Sequence, residues 1–203
     1  RWCARRTESV GGFPRREQPE TLNRRYARAE DAVVDLAHLA DIEEIRQLKA
    51  RYFRALDTQN WPEFRAVFTD DAVIGPIENG FPAEILALRP AGARQPITSA
   101  SVDSFVERVA ANSKGRITTH HGHQAEIEIT GKDEASGIWA MEDILVWPED
   151  GYRLRGTGHY WEMYRRSDGV WKICSLKLTR LYVYAERIEP TAWSTRGSRE
   201  RYL

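Results

Sequence analysis

Apolar and polar positions follow one period in the first half of this chain and another in the second. In DIEEIRQLKARYFRALD, from Asp41 to Asp57, the apolar residues Ile42, Ile45, Leu48, Tyr52, Phe53 and Leu56 fall on one helical face. Asp41 is expected to cap this helix, with Glu44 returning the bond as a capping box. Residues 28–39 are expected to form a helical segment leading into it. Asn60 before Trp61-Pro62-Glu63 marks a second helix start, because proline costs little in a first turn, and this helix should run to about Phe68. Asp70-Asp71 then turns the chain into a short strand over 72–74. Residues 75–96 hold four prolines and three glycines without a clear period and read as a long loop. Ser101 can cap a third helix through Ala111, with Phe105, Val106 and Val109 as its buried stripe.

Beyond this point the pattern is that of strands. Segments over 116–130, 135–147, 152–166 and 170–185 are rich in β-branched and aromatic residues. Gly131-Lys132-Asp133, Pro148-Glu149-Asp150-Gly151 and Ser167-Asp168-Gly169 separate them as turns. Helices first and an antiparallel meander afterwards predict an α+β fold, with the helices on one face of a curved sheet.

Composition removes several classes of function. Thirty basic residues balance thirty acidic ones, so no global field recruits nucleic acid or an anionic membrane. No apolar run reaches the length of a membrane span. Cys3 and Cys174 are far apart and lack a CxxC partner, which argues against a disulfide framework or a zinc site and for a cytoplasmic setting. With 203 residues, 41% hydrophobic and 30% charged, the chain has enough material for one core. The expected organisation is a flexible arm over 1–27, rich in Arg and without an apolar signal region, then one domain over 28–190 and a tail over 191–203. The absence of an initiator Met is taken to mean that a longer gene product is expected.

Candidate chemistry lies in a few polar residues on apolar faces. Asp57 ends the first helix, where the dipole favours a cation, so it is a costly choice for stability alone. It is either a solvated turn residue or a functional carboxylate. His120, His121 and His123 share one strand; alternation leaves only His121 and His123 on a common face, and no third metal ligand is evident. One of the three is either a satisfied structural imidazole or a general base. Strict alternation sets His120 on the face opposite Ile127 and Ile129, so a bulge is required for it to face the interior. Asp143 has the parity of Trp139, Met141, Leu145 and Trp147, and Arg180 that of Cys174, Leu176 and Leu178. Charges in such company are expensive unless paired. A structural Asp143–Arg180 ion pair and a catalytic role are both open readings. Tyr160 and Glu162 alternate with Gly158 and could line the same space.

Three segments, DIEEIRQLKARYFRALDTQNWPEF, THHGHQAEIEITGKDEASGIWAMED and YRRSDGVWKI…LTRLY, resemble the SnoaL-like branch of the nuclear transport factor 2-like superfamily, and within it the bile acid 7α-dehydratases. The similarity runs over roughly 41–188. The Asp-Gly-x-Trp ending is common to the superfamily, whereas YFRxLD and HxGHxxEI are narrower. The resemblance implies a cone-shaped α+β barrel, a cystatin-like roll of N-terminal helices on a strongly curved, mainly antiparallel sheet around a deep apolar pocket. It also implies a catalytic set of Tyr52, Asp57, His120, Asp143 and Arg180, with Phe53, Trp139, Met141, Tyr160 and Glu162 lining the pocket. Scytalone dehydratase is similar over the same region. Leu145, Gly158 and Tyr160 stand where it has an additional histidine and polar residues, which disfavours a scytalone-type substrate.

The activity so implied is a hydro-lyase that needs no metal or organic cofactor and removes water from a hydrophobic hydroxy ketone, steroid-like or bile-acid-like. Its partner would be that small molecule, and the chain a homo-oligomer, dimer or trimer. A ketosteroid-isomerase-like isomerase or polyketide cyclase is the alternative within enzymes. A non-catalytic small-ligand-binding module or an oxygenase small subunit is the alternative outside them.

Overall fold

The computed structural model describes residues 36–78, 81–87, 97–98 and 100–189. The expected arm over 1–27, the tail over 191–203 and most of the loop's second half lie outside them. Among the described residues four helices, α1 (Leu36–Asp57), α2 (Trp61–Ala66), α3 (Ala83–Ala87) and α4 (Val102–Ser113), accompany six strands. The strands are β1 (Phe68–Ile77), β2 (Ala100–Ser101), β3 (Ile117–Gly131), β4 (Glu134–Trp147), β5 (Tyr152–Ser167) and β6 (Val170–Arg187). They form one open sheet in the order β2-β1-β6-β5-β4-β3. The meander β3 to β6 is antiparallel throughout, while β1 lies parallel to β6 and makes the sheet mixed.

Helix α1 buries Ile45, Leu48, Lys49, Tyr52, Ala55 and Leu56 along one stripe. Asp41 does not cap it: the helix already runs from Leu36, and the Asp41 carboxylate instead accepts from Arg166 Nη2 and, at 3.2 Å, from Trp171 Nε1. Helix periodicity upstream of Asp41 outweighs its capping propensity, and an ion pair to β5 uses the carboxylate. The other two caps form as expected. Asn60 accepts from the Glu63 amide at 3.3 Å and Ser101 from the Ser104 amide at 3.4 Å.

Strand β1 is ten residues long rather than three, because β6 and β2 supply ladders on both of its sides. Helix α3 occupies part of the expected loop. The Ser167–Gly169 turn closes with Asp168 and Gly169 both at positive φ, the geometry of a tight primed hairpin.

The inner face of the sheet and the buried stripes of α1, α2 and α4 enclose a cluster that includes Phe64, Phe68, Phe105, Tyr164, Trp171 and Ile173. Each such fully buried side chain contributes about 1.5–3 kcal/mol. A second, smaller cluster of Ile85, Leu145, Trp147 and Leu154 lies at the β4–β5 turn end of the sheet. Among the described residues no helix is long and apolar enough to cross a membrane.

Candidate active site

The end of α1 places Asp57. Gln59 adopts φ 56, its amide bonds Leu56 O at 3.1 Å, and the Asn60 amide bonds Ala55 O at 2.9 Å. These are the two bonds of a Schellman stop. Gln59 is an unusual choice for a left-handed position, but its Nε2 donates to Ser113 O at 3.0 Å, tying the stop to the end of α4. The chain therefore leaves the helix immediately after Asp57 and aims the carboxylate at β3. Three donors meet it there: His120 Nδ1 at 2.6 Å and Thr118 Oγ1 at 2.9 Å on Oδ1, and the His120 backbone N–H at 2.8 Å on Oδ2. A solvated turn carboxylate would not be held at both oxygens.

His120 faces inward because β3 carries a bulge. The β3–β4 register slips between Gly122 and Ala125, where three residues of β3 span two of β4. Thr118 and His120 thus share the inner face with Ala125, Ile127 and Ile129 despite opposite parity. Phe53 stacks on the imidazole at 6.4 Å and 11°. It fits there because residue 122 is glycine, since a Cβ would stand 2.6 Å from Phe53 Cε2. The His120 and Asp57 side chains keep 10% and 21% exposure, so a ligand can reach them.

His120 and Asp143 are cross-strand partners, and Asp143 in turn pairs with Gly156. Asp143 and Arg180 meet across Gly156 through two parallel bonds of 2.8 and 2.6 Å, with side chains 3% and 8% exposed. Sequence reasoning passed over Gly156, yet a Cβ there would sit 2.3 Å from Arg180 Nη1 and 2.5 Å from Asp143 Oδ1. Burial works against the Arg180 cation and the Asp143 bonds more than offset it, so Arg180 stays charged. Arg180 also holds Glu78, its backbone amide donating to Oε2 at 2.9 Å. His120, Asp143 and Arg180 form a polar row across three strands, lying between the two apolar clusters.

Below this row the expected lining residues line up as cross-strand pairs: Trp139 with Tyr160, Met141 with Gly158 and Gly137 with Glu162. Phe53 and Tyr52 come down onto them from α1, the Tyr52 ring 5.8 Å and the Phe53 ring 5.9 Å from that of Tyr160. Burial pushes the Tyr52 and Tyr160 phenols well up, so both remain protonated donors at any ordinary pH. Lys49 is a functional candidate that the sequence reading missed. It is 1% exposed, ion-paired with Glu162, and 3.7 and 4.0 Å above the Tyr160 and Tyr52 rings. Burial lowers its pKa, against the pull of Glu162. Glu162 also accepts from Tyr164 at 2.5 Å, and Tyr164 from Trp139 Nε1 at 2.7 Å. The available signal was position: Lys49 falls in the buried stripe between Ile45 and Tyr52.

His121 and His123 are exposed, on the outer side and at the bulge respectively. Among the described residues no group of three His, Cys, Asp or Glu side chains converges as a metal site. A cleft of about 430 Å³ lies instead between the start of α1 and the β3–β4 turn, lined by His38, Asp41, Glu44, Lys132 and Arg166 among others. A smaller one of about 100 Å³ borders Trp171. Neither is lined by Asp57, His120, Asp143 or Arg180. The polar row is the stronger candidate site, because its charges are buried, paired and convergent, whereas the larger cleft is an open surface hollow. Around the row, space is filled by Tyr52, Phe53, Tyr160 and the second cluster.

A model of the SnoaL-like domain family matches residues 37–177. Among solved structures, a type 2 hexachlorocyclohexane dehydrochlorinase (LinA) is 21% identical, with 75% of this chain and 93% of that one covered and a TM-score of 0.60. A scytalone dehydratase candidate from Novosphingobium aromaticivorans is 17% identical over 77% of this chain and 97% of its own, also with a TM-score of 0.60. An aromatic ring hydroxylase candidate from the same organism is 18% identical over 73% and 94%, with a TM-score of 0.58. At these identities the likeness fixes the fold: the helices and open curved sheet are those of the nuclear transport factor 2-like α+β cone.

Proposed function

Since the chain belongs to the SnoaL-like domain family, we propose that it is a lyase removing water from a hydrophobic hydroxy ketone by acid–base catalysis at Asp57 and His120. The observation that carries this reading is the 2.6 Å contact of Asp57 Oδ1 with His120 Nδ1. A carboxylate there holds the ring proton on Nδ1, leaves the Nε2 lone pair toward the substrate, and stabilises the imidazolium that forms. His120 Nε2 takes the proton from the carbon next to the carbonyl, and the C–H pair becomes the new C=C bond as the β-hydroxyl departs. That hydroxyl leaves as water with the proton returned from the His120 imidazolium, while the Tyr52 phenol donates a hydrogen bond to the departing oxygen. The Arg180 cation, fixed by Asp143, lies on the same row and favours negative charge developing on the carbonyl oxygen. General acid–base assistance of about 10²–10⁴-fold per positioned group fits such an arrangement. A steroid-like skeleton is the finer part of the proposal; the apolar side chains beside the row favour it, and they would have to part to admit fused rings.

The test is mass spectrometry of candidate hydroxy-ketosteroids incubated with the protein. The expected product is lighter by one water, and His120→Ala should lower turnover by at least about 10²-fold with the fold intact. A product of unchanged mass would mean a double-bond shift instead, and wild-type turnover in His120→Ala would remove the residue from the mechanism.

A further inference from the structure

Beyond the polar row, the inner face of β4 continues through Leu145 to Trp147, both buried. Trp147 is 3% exposed and belongs to the cluster of Ile85, Leu145 and Leu154, with Phe81, Tyr152, Val183 and Ala185 around it. The Arg116 guanidinium covers the indole face, 4.6 Å from its centroid. The indole edge is another matter: Trp147 Nε1 is a buried donor without a hydrogen-bond partner among the described residues. Such a donor in an apolar surround is costly, and folded proteins rarely leave one so. Nothing in the acid–base chemistry uses it. It lies four positions beyond Asp143 on the same face, about 14 Å along β4.

We propose that this second cluster binds the far end of the substrate, an apolar ring skeleton carrying a terminal carbonyl oxygen that accepts from Trp147 Nε1–H. The skeleton takes the place of the Ile85 side chain, which α3 now lays on Leu145 and Leu154. The unpaired donor then acts as a selector. A molecule with an oxygen at that end satisfies it, and one without leaves it buried and unpaired, which is how a polar group discriminates more sharply than apolar contact alone. The proposal rests on the Asp57–His120 reading only for which end of the molecule reacts.

Androstanedione, a flat fused-ring skeleton with a ketone at each end, and androstanone, the same skeleton with one ketone, are suitable probes. Calorimetry on the wild-type chain should show the second ketone tightening binding about tenfold. In Trp147→Phe, which keeps an aromatic ring and loses the N–H, that gain should vanish, the dione binding no tighter than androstanone. In the wild-type chain the Trp147 indole proton should move downfield with the dione and not with the mono-ketone, a readout that does not depend on the variant folding. An equal gain in both proteins, an unmoved indole proton, or failure of both steroids to bind the wild-type chain overturns the proposal. Because the readout is binding, it can fail while His120→Ala upholds the reaction, and succeed while His120→Ala refutes it.

Discussion

At the scale of single residues, the site depends as much on what is missing as on what is present. Asp143 and Arg180 belong to strands separated by β5, and they touch because residue 156 of that intervening strand has no side chain. Gly156→Ala should push the guanidinium off the carboxylate and leave two buried charges imperfectly paired. Breaking such a pair costs about 3 kcal/mol or more, whereas ordinary surface glycines change stability by a few tenths. Chemical denaturation should show that loss, together with reduced turnover; unchanged stability would mean the pair re-forms beside the new methyl. The charged partners were legible from the sequence, because an Asp and an Arg on apolar strand faces demand each other. Gly156 was not, since its role exists only once three strands lie side by side. Lys49 was legible in principle and overlooked: a lysine in register with Ile45 and Tyr52 must be buried, and its partner Glu162 lies on the matching inner face.

At the scale of elements, the four strands of the meander lie within two residues of their expected bounds, and the reason is physical. Alternation and turn chemistry are local, and every turn between β3 and β6 carries its own glycine. What local pattern could not supply was pairing. Strand β1 was expected to span three residues and has ten, because its length is set by its neighbours β6 and β2 and not by its own alternation. Asp41 shows the converse error, a strong capping residue overridden by helix continuing upstream and by Arg166 on a distant strand. The β3 bulge lies between these cases. Parity alone demanded an irregularity if His120 was to face inward, and the register slip after Gly122 supplies it.

At the scale of the whole molecule, the buried polar groups make a testable signature of their own. Tyr52, Tyr160 and Tyr164 have phenols raised above their ordinary value of 10.0, in each case chiefly by burial. Their folded-state values exceed the unfolded ones, so their contribution is whole below about pH 10 and lost as pH climbs above it. Lys49, lowered by burial, acts in the opposite sense but is one group against three. Urea unfolding should therefore show stability falling steeply above pH 10, and a flat profile there would mean that the phenols are not buried as described. The proposed acid–base step turns on one proton, the one that Asp57 holds on His120 Nδ1. Nitrogen NMR of the histidines measures it directly. The expected spectrum shows a proton on His120 Nδ1 and a shift toward the Nε2 form in Asp57→Asn; a wild-type His120 protonated on Nε2 alone, unchanged by that substitution, would contradict this reading.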